Sequence, residues 1–270
     1  MGKFSGVMLI SDFDDTLYGT DFHVSEENRA AICYFMEQGG LFTVSTGRAR
    51  KTFSPQVELE HIPMNAPAIL SNGATVFDYR TNQLVRRTYL PDRVIEDIQN
   101  VCSKFPELGF EAYYQNEIYV HNPNAVTEGH MKIVGMDYTV IPIEQLPTPL
   151  TKMILEQDTP ILQQVQAYML EHMGDDYEVI FSNRYLLELT AKGSHKGGSA
   201  LWLADYMGIS PEHLYCVGDN HNDIPMLEVA KIGFAPETCT QAVKDWGARL
   251  VRGCDNGCIA SVIEILDEIY

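Results

Sequence analysis

The stretch VMLISDFDDTLYGT, residues 7–20, decides how the rest of the chain is read. Its apolar start has the character of a buried strand, yet it runs straight into Asp12, Asp14 and Asp15, with Thr16 and Leu17 behind them. Carboxylates this close oppose one another's ionisation unless a cation or a substrate reconciles them. Asp and Asn also gather at strand ends simply to make turns. An isolated Asp-Phe-Asp carries both readings, and the remainder of the chain has to separate them.

The whole chain narrows the field. Its 270 residues suffice for one large domain or two ordinary ones, and a hydrophobic share of 45% is enough to build a core. Lys and Arg number 19 against 37 Asp and Glu, a net charge of -18. Such a surface repels polyanions, which argues against nucleic acid as a partner and requires a metal or local cations to draw in any anionic substrate. The apolar run VMLI is too short for a secretion signal, and no stretch approaches the length of a membrane span, so no membrane association is expected. Cys33, Cys102, Cys216, Cys239, Cys254 and Cys258 are scattered as reduced thiols of a cytoplasmic protein would be. Cys254 and Cys258 raise the idea of a metal clip, but no second Cys/His pair with zinc spacing accompanies them.

Outward from the opening strand, Ser25 reads as the N-cap of a helix reaching about Glu37. Strands follow at LFTVST (41–46) and APAILSNG (66–73), then a hairpin turning at Thr81-Asn82. Short apolar strands separated by helices predict a parallel sheet covered on both faces. Near Leu90-Pro91 the rhythm changes. A helix, a hairpin (110–115 and 117–122), a helix near 123–134, a strand at 151–157, a helix at 160–173 and an antiparallel pair (177–183 and 185–190) read as a separate α+β unit. In the 160–173 helix, Ile161, Val165, Tyr168 and Leu170 are expected to share one face. The alternating rhythm returns after Lys196. The expected fold is therefore α/β: a Rossmann-like parallel-sheet core, residues 1–89 and 190–270, interrupted by an inserted α+β domain, residues 90–189.

Four stretches fall at expected carboxyl ends of strands or at helix starts: Asp12-Phe13-Asp14-Asp15-Thr16, Ser45-Thr46-Gly47-Arg48, Gly193-Ser194-His195-Lys196-Gly197-Gly198, and Gly218-Asp219-Asn220-His221-Asn222-Asp223. That edge of an open α/β sheet is where ligands bind. Each stretch alone passes for a turn or a helix start. Together they supply carboxylates, a hydroxyl, an ammonium and amides, the set that phosphoryl transfer requires.

In this order DFDDTL, STGR, the Lys-Gly helix start and GDNHND resemble the four motifs of the haloacid dehalogenase-like (HAD) superfamily. SNGA (71–74), ELTAKGSHKGGSALWLA (188–204) and the insertion resemble its Cof-type (type IIB) sugar-phosphatase branch, so the insertion would be a cap domain. Asp15 departs from the pattern, standing where many members carry Gly. The resemblance implies a phosphatase in which Asp12 is the nucleophile and Asp14 the general acid and base. Mg²⁺ would be held by Asp12, the Asp14 backbone carbonyl and Asp219. The Phe13 and Gly47 amides, Thr46, Lys196 and Asn222 would bind phosphate. Asp223 would support Lys196 or a metal water, and Arg48 would contact substrate or stabilise the core. The implied partner is a small phosphorylated molecule; oligomeric state is not indicated. A phosphotransferase or mutase using the same aspartyl phosphate, a receiver-type signalling domain and a phosphate-binding protein without catalysis are the competing readings.

Overall fold

Sequence pattern becomes architecture through the two faces of one central sheet. The computed structural model describes residues 2–115 and 117–270. In chain order, β1 (Met8–Ser11), α1 (Glu26–Glu37), β2 (Leu41–Val44), α2 (Arg50–Leu59), β3 (Ala68–Leu70), β4 (Thr75–Asp78) and β5 (Gln83–Arg87) come first. Then follow α3 (Val94–Lys104), β6 (Gly109–Tyr114), β7 (Glu117–His121), α4 (Ala125–Val134), β8 (Thr139–Val140), β9 (Lys152–Glu156), α5 (Thr159–Met173), β10 (Tyr177–Asn183) and β11 (Leu186–Ala191). The chain closes with α6 (Lys196–Tyr206), β12 (Leu214–Val217), α7 (Ile224–Glu228), β13 (Ile232–Pro236), α8 (Gln241–Trp246), β14 (Arg249–Val251) and α9 (Cys258–Ile269).

Two compact units result, one of residues 1–86 with 196–270 and the other of 87–195. In the first, the parallel sheet has the order β14-β13-β12-β1-β2. Alternation along β1 sends Leu9 to a core shared with Ile32 and Phe35 of α1 and Ile259 and Val262 of α9. Met8 and Ile10 go to the opposite core, against Ala200 and Leu203 of α6 and Met226 of α7. Ser25 caps α1 as expected, its hydroxyl accepting from the Asn28 amide. The chain leaves β1 for β2 on one side, while β12 and β13 lie on the other, so the strand order reverses at β1 and β12. A crevice at the carboxyl ends of such strands is the usual ligand position in this architecture.

Three local expectations change. The strand at 68–70 is not a full member of the parallel sheet: it pairs antiparallel with β4 and touches β2 through the single bridge Ser45–Ile69. Helix α2 is an addition, masked in the sequence by Pro55 inside it. In α5 the buried stripe is Leu162, Val165, Met169 and Met173, with Ile161 and Tyr168 partly buried beside it, whereas Leu170 is exposed. Steps of three and four residues from Leu162 follow the helical repeat better than the set ending at Leu170.

The inserted unit is a six-stranded sheet, β10-β11-β9-β6-β7-β8, antiparallel except where β8 joins β7. Phe110, Ala112, Met153, Leu155, Leu187 and Leu189 form one face, packed with α3 and α5. Glu111, Tyr113, Lys152, Glu156 and Glu188 alternate with them on the other.

Candidate active site

Register brings the expected residues to one edge. Ser11 pairs with both Val44 and Val217, so Asp12, Ser45 and Gly218 are the next residues on three adjacent strands. The Asp12 amide continues the ladder by donating to the Val217 carbonyl at 2.8 Å. The Asp12 side chain is buried, and Lys196, at the start of α6, donates to its Oδ1 at 2.6 Å. The same ammonium donates to Asp223 Oδ1 at 2.5 Å. Asp223 Oδ2 accepts from the Asp219 and Asn220 amides, so one fully buried carboxylate shapes the loop after β12 and aims Lys196. Two glycines make this approach possible. A Cβ at Gly197 would lie 2.1 Å from the Pro225 carbonyl oxygen, and one at Gly218 would lie 2.4 Å from Asp223 Cβ.

Asp12, Asp219 and Asp223 offer carboxylate oxygens within 4.8 Å of one another. Burial, then the Asp223 carboxylate, pushes Asp12 well above the usual carboxylate range, and the Lys196 ammonium only partly offsets this. Burial followed by Asp223 likewise lifts Asp219 to about 7. Burial also opposes the charge on Lys196, yet Asp12 and Asp223 hold its pKa above the ordinary lysine value. Fully ionised, the three carboxylates would exceed the one ammonium by two charges among hard oxygen donors. Burial and this unrelieved excess together push Asp12 and Asp219 upward. That donor set and that charge suit a divalent metal ion. Of the expected metal-binding residues, the structure gathers the side chains of Asp12 and Asp219 and adds Asp223.

Asp14 goes elsewhere. Its carboxylate is half exposed and gripped by Arg48 through Nε at 2.9 Å and Nη2 at 2.6 Å. The guanidinium also lies 5.1 Å from the Phe13 ring centre, and Phe13 stacks on Tyr18 at 4.7 Å. Arg48 thus ties the Asp14 side chain to the aromatic floor of the loop. Asp15, also exposed, has φ 57, the left-handed region that suits glycine and that Asp tolerates better than most residues. The glycine expected from the resemblance would suit this backbone, and the Asp found here tolerates it.

Thr46 is buried; its carbonyl accepts from the Asn72 amide and its hydroxyl accepts from the Arg48 amide. The Gly47 α-carbon faces the Asn72 side chain, since a Cβ there would stand 3.3 Å from Asn72 Nδ2. Asn222 donates through Nδ2 to Asn72 Oδ1 at 3.1 Å. Asn72 therefore links the loops after β2 and β12, a role the sequence reading did not give it. Its signal was present in the SNGA motif. Thr16 is a second addition, its hydroxyl 3.4 Å from Asp219 Oδ1.

The sequence pattern of the haloacid dehalogenase-like hydrolases matches residues 9–263, nearly the whole chain. The chain belongs to this family. Among curated relatives, the 5-amino-6-(5-phospho-D-ribitylamino)uracil phosphatase YwtE of Bacillus subtilis is 27% identical, with 94% of this chain and 96% of that protein covered. The HMP-PP phosphatase of Escherichia coli is 25% identical over 83% of this chain and 81% of its own. A solved HAD subclass IIB sugar phosphatase, BT4131, has the same fold at TM-score 0.82 and 20% identity, covering 97% of this chain and 99% of its own. The chain is accordingly a HAD-family phosphatase, and the Cof-type resemblance holds. Within this HAD core, Cys254 and Cys258 are buried free thiols, and among the described residues neither joins a group of three metal-ligating side chains. No described helix is long and apolar enough to cross a membrane.

Proposed function

We propose that the chain is a Mg²⁺-dependent phosphatase of small phosphomonoesters, sugar phosphates foremost, that works through a phosphoryl group carried on Asp12. The observation that carries this reading is Lys196, buried and bridging Asp12 and Asp223 beside Asp219 at the point where the strand order reverses. A fixed ammonium at the attacking carboxylate needs no reorganisation when charge shifts during the reaction. Asp12 attacks phosphorus as the bond to the substrate alcohol breaks, and Asp14 delivers a proton to the departing oxygen. Asp14 then takes a proton from water, which attacks the aspartyl phosphate, releases phosphate and restores Asp12. Arg48 donates to both Asp14 oxygens, so this pair has to open before Asp14 can carry a proton. Phosphate oxygens are assigned to Thr46, Lys196, Asn222 and the Phe13 and Gly47 amides. Mg²⁺ held by Asp12, the Asp14 carbonyl and Asp219 would supply the positive charge that lets a carboxylate approach an anionic phosphate.

The core motifs recognise a phosphate and little else, so recognition of the remaining substrate is assigned to the inserted domain, residues 90–189, as a cap. The acidic surface and free thiols fit a cytoplasmic enzyme without nucleic-acid or membrane partners. The test is phosphate release from a panel of sugar phosphates, phosphorylated ribityl compounds, nucleotides and pyridoxal phosphate, with Mg²⁺ and with EDTA. Small phosphomonoesters should turn over faster than nucleotides, and chelation should stop the reaction reversibly. No phosphate release from any member, or undiminished release after thorough chelation, overturns the proposal.

A further inference from the structure

A second buried carboxylate cluster lies wholly within the inserted unit. Glu111 on β6 and Glu156 on β9 stand on neighbouring strands, Gly109 pairing with Glu156 and Glu111 with Ile154, so the two side chains share a sheet face. Both residues are fully buried. His130 of α4 brings its Nδ1 to 2.7 Å from Glu111 Oε1 and 3.6 Å from Glu156 Oε1. The Tyr113 hydroxyl donates to Glu111 Oε2 at 2.7 Å, and the Thr127 hydroxyl donates to Glu156 Oε2 at 2.5 Å. Each carboxylate thus has one oxygen tied by a hydroxyl and the other turned to the cluster. Glu156 Oε1 is buried without a hydrogen bond of ordinary geometry, the His130 Nδ1 standing 3.6 Å away, so its pairing is incomplete.

We propose that Glu111, His130 and Glu156 form a second cation site that takes a first-row divalent transition metal such as Zn²⁺. Their donor atoms all lie within 4.8 Å of one another. Donors bound about 2 Å from one ion stand roughly 3–3.5 Å apart. Here Nδ1 lies 2.7 and 3.6 Å from the two oxygens, so an ion would replace the short Glu111 hydrogen bond and spread that pair by a few tenths of an ångström. Without an ion, burial opposes charge on His130, but Glu111 and Glu156 hold its pKa up at about 9, so the ring itself is the cluster's cation. A divalent ion would take its place by releasing that proton, leaving a neutral imidazole and two carboxylates whose two charges the ion balances. One imidazole in the set favours a borderline metal over Mg²⁺ or Ca²⁺, which select oxygen alone. Tyr113 and Thr127 do for these carboxylates what supporting hydrogen bonds do around known metal ligands, fixing which oxygen faces the ion. The site is distinct from the Asp12 cluster, whose three acids include no histidine.

The test uses tag-free full-length protein carrying Asp12→Asn and Asp219→Asn to silence the core cluster, titrated with Co²⁺ and Zn²⁺ in excess Mg²⁺. One equivalent should bind, with an imidazole nitrogen in the coordination shell by X-ray absorption. His130→Gln and Glu156→Gln in that background should weaken binding at least about tenfold. Failure to bind either ion, a shell without imidazole, or unchanged affinity in both folded variants overturns the proposal. The spectroscopic result decides the matter even where a substitution unfolds the chain.

Discussion

Lys196 in the core and Lys152 in the inserted unit are both withdrawn from solvent, at 1% and 3% exposure, and each is held by carboxylate. Their settings differ. Lys196 opens a helix at the carboxyl edge of a sheet packed on both faces, where strand interiors take apolar side chains and charge is confined to the rim. Lys152 opens β9, 3.2 Å from Glu188 in the middle of β11 and 4.7 Å from the Tyr113 ring centre, on the sheet face opposite the apolar core. The character of the sheet's second face therefore decides where it can bury charge. A doubly covered sheet sends it to the strand ends and the turns beyond them. A sheet with one polar face can carry it in mid-strand.

The sharpest break of this contrast is Asp12→Asn, which removes the acid that Lys196 serves. Turnover should fall on the order of 10⁴-fold or more, with far-UV circular dichroism unchanged. Substantial residual hydrolysis would detach the core cluster from the chemistry. Next in size is Lys196→Met, which leaves Asp12 and Asp223 facing each other without a counter-charge. Phosphate release should drop by about 10³-fold, and urea unfolding at neutral pH should report a loss of about 3 kcal/mol. An apolar replacement of Asp223 should not rescue activity. The smallest expected effect belongs to Lys152→Met, read by urea unfolding alone: a loss of about 3 kcal/mol from stranding Glu188, largely recovered when Glu188→Leu is added. Should the double variant stay as unstable as the single one, the two lysines are not distinguished by whether apolar packing can replace them.

Core strands and their motifs were legible because a buried parallel strand is a short apolar run, and the acids begin where the run stops. Asp12 and Lys196 could be singled out only jointly: each stretch alone passes for a turn or a helix start, and the four in order carry the family resemblance. Asn72 was harder to see. Its part depends on a turn, with φ 51 at Asn72 itself, that brings a third loop against Thr46 and Asn222. No spacing in the chain encodes that contact. Helix α2 was hidden because Pro55 ordinarily ends a helix and the segment buries only Phe53. The side-chain partner of Asp14 was open for a similar reason: Arg48 had two plausible roles, and only the two-pronged geometry selects between neighbours. The Glu111, His130 and Glu156 group escaped notice because its members lie on three separate elements.

Gly197 and Gly218 admit no side chain because backbone and Asp223 stand where a Cβ would be. At Gly197 the obstacle is the Pro225 backbone and owes nothing to phosphorus; at Gly218 it is the Asp223 side chain of the site itself. A lineage that gave up catalysis would be free to lose Asp12, while position 197, and 218 for as long as Asp223 stays, would go on answering to packing. In an ancestry drawn from many such sequences, the glycines would record descent and the aspartates would record occupation. Sorting living enzymes from retired ones by the Lys-Gly and Gly-Asp signatures alone would therefore count the retired among the living.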